Sequence, residues 1–341
     1  MNAPRRPRTL IAMYPELRDL LLDPAAIARL AGTASVDIDR VVTDLEDTED
    51  PALGAALHAT EVLLTCWGCP PLTETALARM PNLKAVVHAA GSVKQLISET
   101  GWARGLIVSA AAEANAEPVA EYTLAAILMA NKRVLPIADA YRRRRGPLPL
   151  NALLADAGNY RRTVGIVGAS KVGRRVIELL RPFDLHVLLF DPYVDRTAAS
   201  ALGVERVDLE ELARRSDVVS IHAPETPETQ HQFDAHRLAL LRDGATLINT
   251  ARGSLVDTEA LTRELVAGRI HGVIDVTDPE VLPADSPLYD LPNVLLTPHM
   301  AGSLGGELYR LGEAALDELE RYARGLPMLH LVEPALLARS A

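Results

Sequence analysis

The chain has 341 residues, 48% of them hydrophobic, and a formal net charge of -10. That length and apolar content suffice for two domains with separate cores, and the acidic balance argues against nucleic acid as a partner. There is no run of about 18 apolar residues, the length a membrane span needs. The stretch Met1-Asn2-Ala3-Pro4-Arg5-Arg6 also lacks the apolar centre of a signal segment, so the chain is expected to act in the cytoplasm, off the membrane.

The first part alternates strand-like runs (Leu10 to Met13, Val62 to Leu64, Ala85 to Val87, Leu106 to Val108) with helical patterns such as Pro24 to Leu30 and Glu74 to Ala78. This alternation predicts an α/β unit with a doubly wound parallel sheet. The only two cysteines follow the second run as Cys66-Trp67-Gly68-Cys69. A C-x-x-C spacing admits a redox pair, but this one leads into Pro70-Pro71 instead of opening a helix, and no second Cys or His pair completes a metal site. No metal is predicted, and Trp67 is placed in a strand-end loop that faces a ligand. A long helix is then predicted from about Glu117 to Ala140, interrupted only at Pro136. The basic run Arg142 to Arg145, followed by Gly146-Pro147, reads as a solvated helix end or linker.

A second α/β unit opens with the buried strand Thr163 to Gly168 and the helix Lys171 to Leu180. Between them lies Gly168-Ala169-Ser170-Lys171-Val172-Gly173, a G-x-G-x-x-G pattern with Ser170 in the place of the second glycine. The first glycine permits the tight turn, the last lets helix pack on strand, and amides at the helix start face a pyrophosphate. Asp191 follows the next strand, His186 to Phe190, and lies 18 positions after Gly173. An acid at that distance meets the adenosine ribose hydroxyls, which predicts NAD as cofactor and NADH in preference to NADPH; Arg196 nearby leaves room for dual use. Further strands are read at Val218 to Ile221, Thr246 to Asn249, Val273 to Asp275 and Val294 to Thr297, with helices at Leu209 to Arg214, Arg237 to Leu241 and Glu259 to Ala267. Six strands make a full dinucleotide domain. The last helix, Leu304 to Arg324, has no place in it.

Three of these strand ends carry chemistry. Asn249-Thr250-Ala251-Arg252-Gly253 offers a guanidinium able to grip a planar carboxylate with two hydrogen bonds. Thr297-Pro298-His299-Met300-Ala301-Gly302 offers a histidine able to exchange a proton with a carbonyl oxygen near neutral pH. Asp275 to Glu280 offers carboxylates. Together they equip a site for reducing a 2-keto acid.

With Pro81-Asn82-Leu83-Lys84, Asn115-Ala116-Glu117-Pro118-Val119-Ala120-Glu121 and Leu291-Pro292-Asn293-Val294 added, the chain resembles the D-isomer-specific 2-hydroxyacid dehydrogenases over most of its length. The resemblance implies a flavodoxin-like substrate domain from residues 1–116 and 305–341, an inserted Rossmann NAD-binding domain at 117–304, and an active site in the cleft. It implies Arg252 as the group binding substrate carboxylate and carbonyl, His299 as acid/base and Glu280 as its partner. Cofactor contacts are implied for His222, Ala223, Pro224, Thr229, Thr250, Ala251, Arg252, Asp275, His299, Ala301 and Gly302, beside Gly168 to Gly173 and Asp191. Trp67, Ala90, Gly91 and Ser92 are implied on the substrate side. A homodimer packed through Val119, Leu124, Ile127, Leu128 and Met129 is implied as well.

The chain also departs from that pattern. The acid usual after the substrate glycine loop is replaced by Val93-Lys94-Gln95, and Thr277 and Asp278 stand where an aromatic and Glu are common. Lys94 reads either as a contact for a second anionic group or as an exposed lysine at a helix start. Glu280 instead of Gln speaks against a formate dehydrogenase. A redox-inactive NAD-sensing protein of the same fold, like a corepressor, and a phosphonate- or phosphite-type dehydrogenase remain as alternatives.

Overall fold

The computed structural model describes residues 5–46 and 49–337. They divide into two compact units: one runs up to Asn115 and resumes at Ser303, and the other spans Ala116 to Gly302. The first holds strands β1 (Arg8–Ala12), β2 (Ser35–Val42), β3 (Val62–Thr65), β4 (Ala85–His88) and β5 (Ile107–Ala110). They pair in the order β2-β1-β3-β4-β5, all parallel. Both faces of this sheet are covered, so β3 and β4 are buried at every position and are apolar up to their last residues, Thr65 and His88. Successive residues feed opposite cores: Ile11, Leu64 and Val87 enter one with Leu311 and Leu319, while Leu10, Leu63 and Val86 enter the other with Leu57 and Leu77.

Leu311 and Leu319 belong to the helix Leu308–Ala323, which therefore packs in this first unit. Gly312 permits the approach, since a Cβ there would lie 2.0 Å from the Leu21 carbonyl oxygen. Strand β2 is absent from the sequence reading. Its Ser-Val-Asp-Ile-Asp-Arg-Val-Val run is half-exposed and charged because it lies at the sheet edge.

The second unit holds β6 (Thr163–Val167), β7 (His186–Phe190), β8 (Glu205–Arg206), β9 (Val218–Ile221), β10 (Thr246–Asn249), β11 (His271–Ile274) and β12 (Val294–Leu296). Their order is β12-β11-β10-β9-β6-β7-β8, again all parallel. The strand order reverses between β6 and β9, the switch point of a dinucleotide-binding sheet. The expected six strands become seven because β8 joins them, a two-residue edge strand with both side chains exposed and no apolar signal.

The expected helix from Glu117 to Ala140 is instead two helices, Ala112–Asn131 and Val134–Arg144. The break falls at Arg133, which takes a left-handed conformation (φ 53°), and not at Pro136. Pro136 lies in the first turn of the second helix, where a missing N–H costs nothing. Arg142 to Arg144 fill that helix's exposed last turn, and Arg143 pairs with Asp139 at 2.8 Å. Two residues expected to face a second subunit, Val119 and Ile127, are buried at 8% and 0% exposure; Met129 is exposed. Among the described residues no helix is long and apolar enough to cross a membrane.

Candidate active site

The loop after β6 is shaped by its glycines. Gly168 has φ +97°, and a Cβ on it would meet the Ala223 nitrogen at 2.7 Å. A Cβ on Gly173 would lie 2.0 Å from the Gly168 carbonyl oxygen, so helix Lys171–Leu180 and strand touch through backbone alone. Ser170 is the N-cap of that helix, its Oγ accepting from the Gly173 N–H at 3.3 Å. A hydroxyl that caps the helix explains why Ser is accommodated where glycine is usual. Lys171 is exposed and Val172 half-buried.

Asp191, at the end of β7, accepts from the Ala169 N–H through Oδ2 and from the Tyr193 N–H through Oδ1, both at 2.7 Å. Its carboxylate thereby ties the loop after β7 to the glycine loop. Across the switch point, burial holds His222 neutral and pushes its pKa down to about 3, with Nε2 2.9 Å from Ser220 Oγ. The Thr229 hydroxyl donates to the Pro224 carbonyl at 2.7 Å and closes the following loop. A backbone cradle that no side chain could enter, at the start of a ten-residue helix and beside an acid, fits a dinucleotide.

The strand ends of β10, β11 and β12 are bound to one another. Asn249 folds the Arg252 turn by accepting from the Ala251 N–H (3.1 Å) and donating to the Arg252 carbonyl (2.8 Å). The Arg252 guanidinium donates to the Ala251 carbonyl at 2.6 Å. Thr250 meets Thr123 hydroxyl to hydroxyl at 3.2 Å. A Cβ on Gly253 would lie 2.1 Å from the Thr277 carbonyl, so the loops after β10 and β11 press backbone to backbone.

Asp275 is 2% exposed and organises the histidine loop. Its Oδ1 accepts from the Thr297 hydroxyl (2.6 Å) and the Met300 N–H (2.8 Å), its Oδ2 from the Ala301 N–H (2.9 Å), and its backbone carbonyl from the His299 N–H (2.8 Å). Tyr122 adds a hydroxyl contact to Thr297 at 3.1 Å. These bonds hold His299 in a left-handed conformation (φ 53°), which a non-glycine residue keeps only when its surroundings fix it. Ala301 is buried and Gly302 half-buried behind it.

His299 Nδ1 lies 2.5 Å from Glu280 Oε1, with both side chains largely exposed. A carboxylate only accepts, so the Nδ1 proton points to Glu280 and Nε2 is left to exchange a proton with a ligand. The Thr277 hydroxyl holds the intervening loop by donating to the carbonyls of Pro279 and Glu280 at 2.8 and 2.9 Å. Sequence reasoning missed the supports Tyr122, Asn249 and Thr297, whose roles arise from which loops the sheet makes neighbours.

In the first unit, Trp67 follows β3 and is 40% exposed; Gly91 and Ser92 follow β4 and are half-buried. Ala90 is 0% exposed and packs its methyl in the core. Lys94 lies in the turn 94–96, not at a helix start. His88, 2.9 Å from the Thr65 hydroxyl, is held neutral by burial, which pushes its pKa down to about 4. Cys66 and Cys69 are free thiols, both pushed up to about 12 by burial, and the described residues include no cluster of metal ligands.

Residues 124–301 match the profile of the D-isomer specific 2-hydroxyacid dehydrogenase, NAD binding domain. A D-3-phosphoglycerate dehydrogenase of Mycobacterium bovis is 35% identical over 237 residues, which are 69% of this chain and 44% of that protein. The chain thus matches less than half the length of that curated relative. A glyoxylate reductase of Korarchaeum cryptofilum is 33% identical over 260 residues, 75% of this chain and 77% of its own. Among solved structures, a D-lactate dehydrogenase from Aquifex aeolicus complexed with NAD and lactic acid superposes with a TM-score of 0.70 at 27% identity, covering 93% of this chain and 96% of that one. The chain belongs to the D-isomer-specific 2-hydroxyacid dehydrogenases.

Proposed function

We propose that the protein is an NAD-dependent oxidoreductase that interconverts a 2-keto acid and the corresponding D-2-hydroxy acid. The observation that carries this reading is the His299–Glu280 contact at 2.5 Å, on a loop fixed by Asp275 in the same unit as the glycine cradle. A protein that only sensed NAD would need the cradle but not an oriented acid/base pair.

In reduction, the cofactor supplies a hydride to the carbonyl carbon. As negative charge grows on the carbonyl oxygen, the Arg252 guanidinium stabilises it, and His299 Nε2 delivers a proton to that oxygen. The Glu280 carboxylate orients the imidazole through Nδ1. Arg252 also grips the substrate carboxylate; in the first unit, Gly91 and Ser92 offer backbone amides to an anionic group and Trp67 an apolar face. In oxidation each step runs backward, with His299 accepting the proton. Asp191 favours NADH over NADPH, because a 2′-phosphate would be brought against a carboxylate.

The working form in this reading is a cytoplasmic homodimer packed through the less buried apolar residues Leu124, Leu128, Met129 and Val134. Support comes from the exposure of Met129 (42%) and Val134 (38%) on adjoining helices; micromolar light scattering showing a monomer contradicts it. The reaction is tested by following NADH and NADPH oxidation with glyoxylate, hydroxypyruvate, pyruvate and phenylpyruvate, and by the chirality of the product. Turnover to a D-hydroxy acid, faster with NADH, is expected. No turnover with any of them, despite cofactor binding, would leave the sensing reading in its place.

A further inference from the structure

We propose that the C-terminal edge of the five-stranded sheet carries a fixed aromatic platform of Tyr14 and Trp67, which selects 2-keto acids with a large uncharged side chain, such as an aryl group, over phosphorylated ones. The proposal rests on the oxidoreductase reading above and names its substrate class.

The first support is position. In the order β2-β1-β3-β4-β5 the connections leave β1 and β3 in opposite directions, and open parallel sheets bind ligands at the crevice this creates. The chain leaving β1 presents Tyr14, 51% exposed, and the chain leaving β3 presents Trp67, 40% exposed. Two large aromatic rings left open at a switch point are a surface that an apolar group can cover.

The second support is rigidity. The Tyr14 N–H donates to the Trp67 carbonyl at 2.9 Å, which joins the two loops. Gly68 turns at φ +85°, and a Cβ on it would lie 2.4 Å from Tyr14 Cγ, so the tyrosine ring rests directly on the glycine. The Cys66 thiol donates to the Ala89 carbonyl at 3.2 Å and ties the Trp67 loop to the one carrying Gly91 and Ser92. The Tyr14 ring and the Trp67 backbone, held this way, lose little freedom when a ligand arrives.

The third support is charge. Residues 66–73 contain no charged side chain, and residues 89–98 contain one, Lys94. Arg18, on the helix after Tyr14, is committed to Asp19 at 2.7 Å and Asp39 at 3.1 Å. His88, buried beneath the β4 loop, is neutral at pH 7. A phosphate group is normally gripped by several charge-assisted donors, guanidinium above all, and these loops do not provide such a set.

The test compares kcat/KM with NADH for phenylpyruvate, glyoxylate and 3-phosphohydroxypyruvate in the wild type, Trp67→Ala and Trp67→Phe. Phenylpyruvate should exceed both others by at least about tenfold, as expected for one well-packed aromatic contact. Trp67→Ala should lower the phenylpyruvate-to-glyoxylate ratio about tenfold, and Trp67→Phe should restore most of it. A preference for 3-phosphohydroxypyruvate, or a ratio unmoved by Trp67→Ala, overturns the proposal. If no keto acid is turned over, the oxidoreductase reading has failed by itself, and binding then decides for the platform. The chain has two tryptophans, so in a Trp102→Phe background the emission reports Trp67: saturable quenching by phenyllactate, absent with 3-phosphoglycerate, supports the platform, and no quenching by phenyllactate overturns it.

Discussion

The two units of this chain are both parallel, doubly wound sheets with a switch point, and they furnish it with opposite chemistry. Between β6 and β9 the ends are stripped to backbone: Gly168 and Gly173 leave no room for a Cβ, and the Ala169 amide between them is held by Asp191. Between β1 and β3 the ends carry rings, Tyr14 and Trp67, with Gly68 serving only to seat one of them. Similar strand order therefore does not decide what is bound; the side chains removed or added at the crevice do.

The contrast breaks most completely at Gly173. Gly173→Ala places a methyl 2.0 Å from a backbone oxygen, so the helix must leave the strand. NADH affinity by fluorescence titration is expected to fall at least about 100-fold, with a stability loss at the upper end for point substitutions, above about 4 kcal/mol. Affinity within a few-fold of wild type would mean that the close approach is not needed.

Thr297→Val tests the support beneath the His299 loop. It removes one of three donors to the buried Asp275 carboxylate and should cost about 1.5–3 kcal/mol in chemical denaturation. It should also lower kcat more than it raises the KM for NADH, because His299 is released from its left-handed turn. Equal effects on both would assign Thr297 to packing alone.

Each unit also buries a neutral histidine at or just after a strand end, His88 at about 4 and His222 at about 3. The unfolded chain takes up these protons near pH 6.5 while the folded chain does not, so stability falls as pH drops from about 6.5 toward those values. Between pH 7.5 and 5 each histidine is expected to cost roughly 2 kcal/mol. His88→Gln should flatten the urea-midpoint profile over that range; an unchanged slope removes the histidine from the account.

Smallest in stability, Glu280→Gln opens an exposed pair and should change unfolding by under about 1 kcal/mol. Its effect belongs in kcat, which should fall about tenfold with cofactor affinity retained. A large stability loss would make the pair structural.

What could be read in the residues follows the same division. Buried parallel strands announce themselves as apolar runs, and the Gly168 to Gly173 pattern announces the tight strand-to-helix turn, because backbone proximity forces glycine. Edge strands β2 and β8 carry charged, half-wet side chains and gave no such signal. The helix break at Arg133 was misplaced to Pro136 because a proline in a first turn reads in sequence like one in a helix middle. The burial of Ala90 has no signal in its glycine- and serine-flanked loop sequence. Tyr122 carries no motif, and the Thr297-to-Gly302 stretch does not reveal the supporting role of Thr297; both matter because β11 and β12 are adjacent and the helix Ala112–Asn131 brings Tyr122 to Thr297.

The central claim is that His299 transfers the proton while the glycine cradle holds the cofactor independently of it. It is tested most directly by His299→Asn, with NADH binding and keto-acid reduction measured on the same preparation. The account predicts NADH affinity within a few-fold of wild type and a turnover number lower by about 10²–10⁴, the usual loss for a positioned acid. Near-normal turnover on every substrate the parent accepts would contradict it.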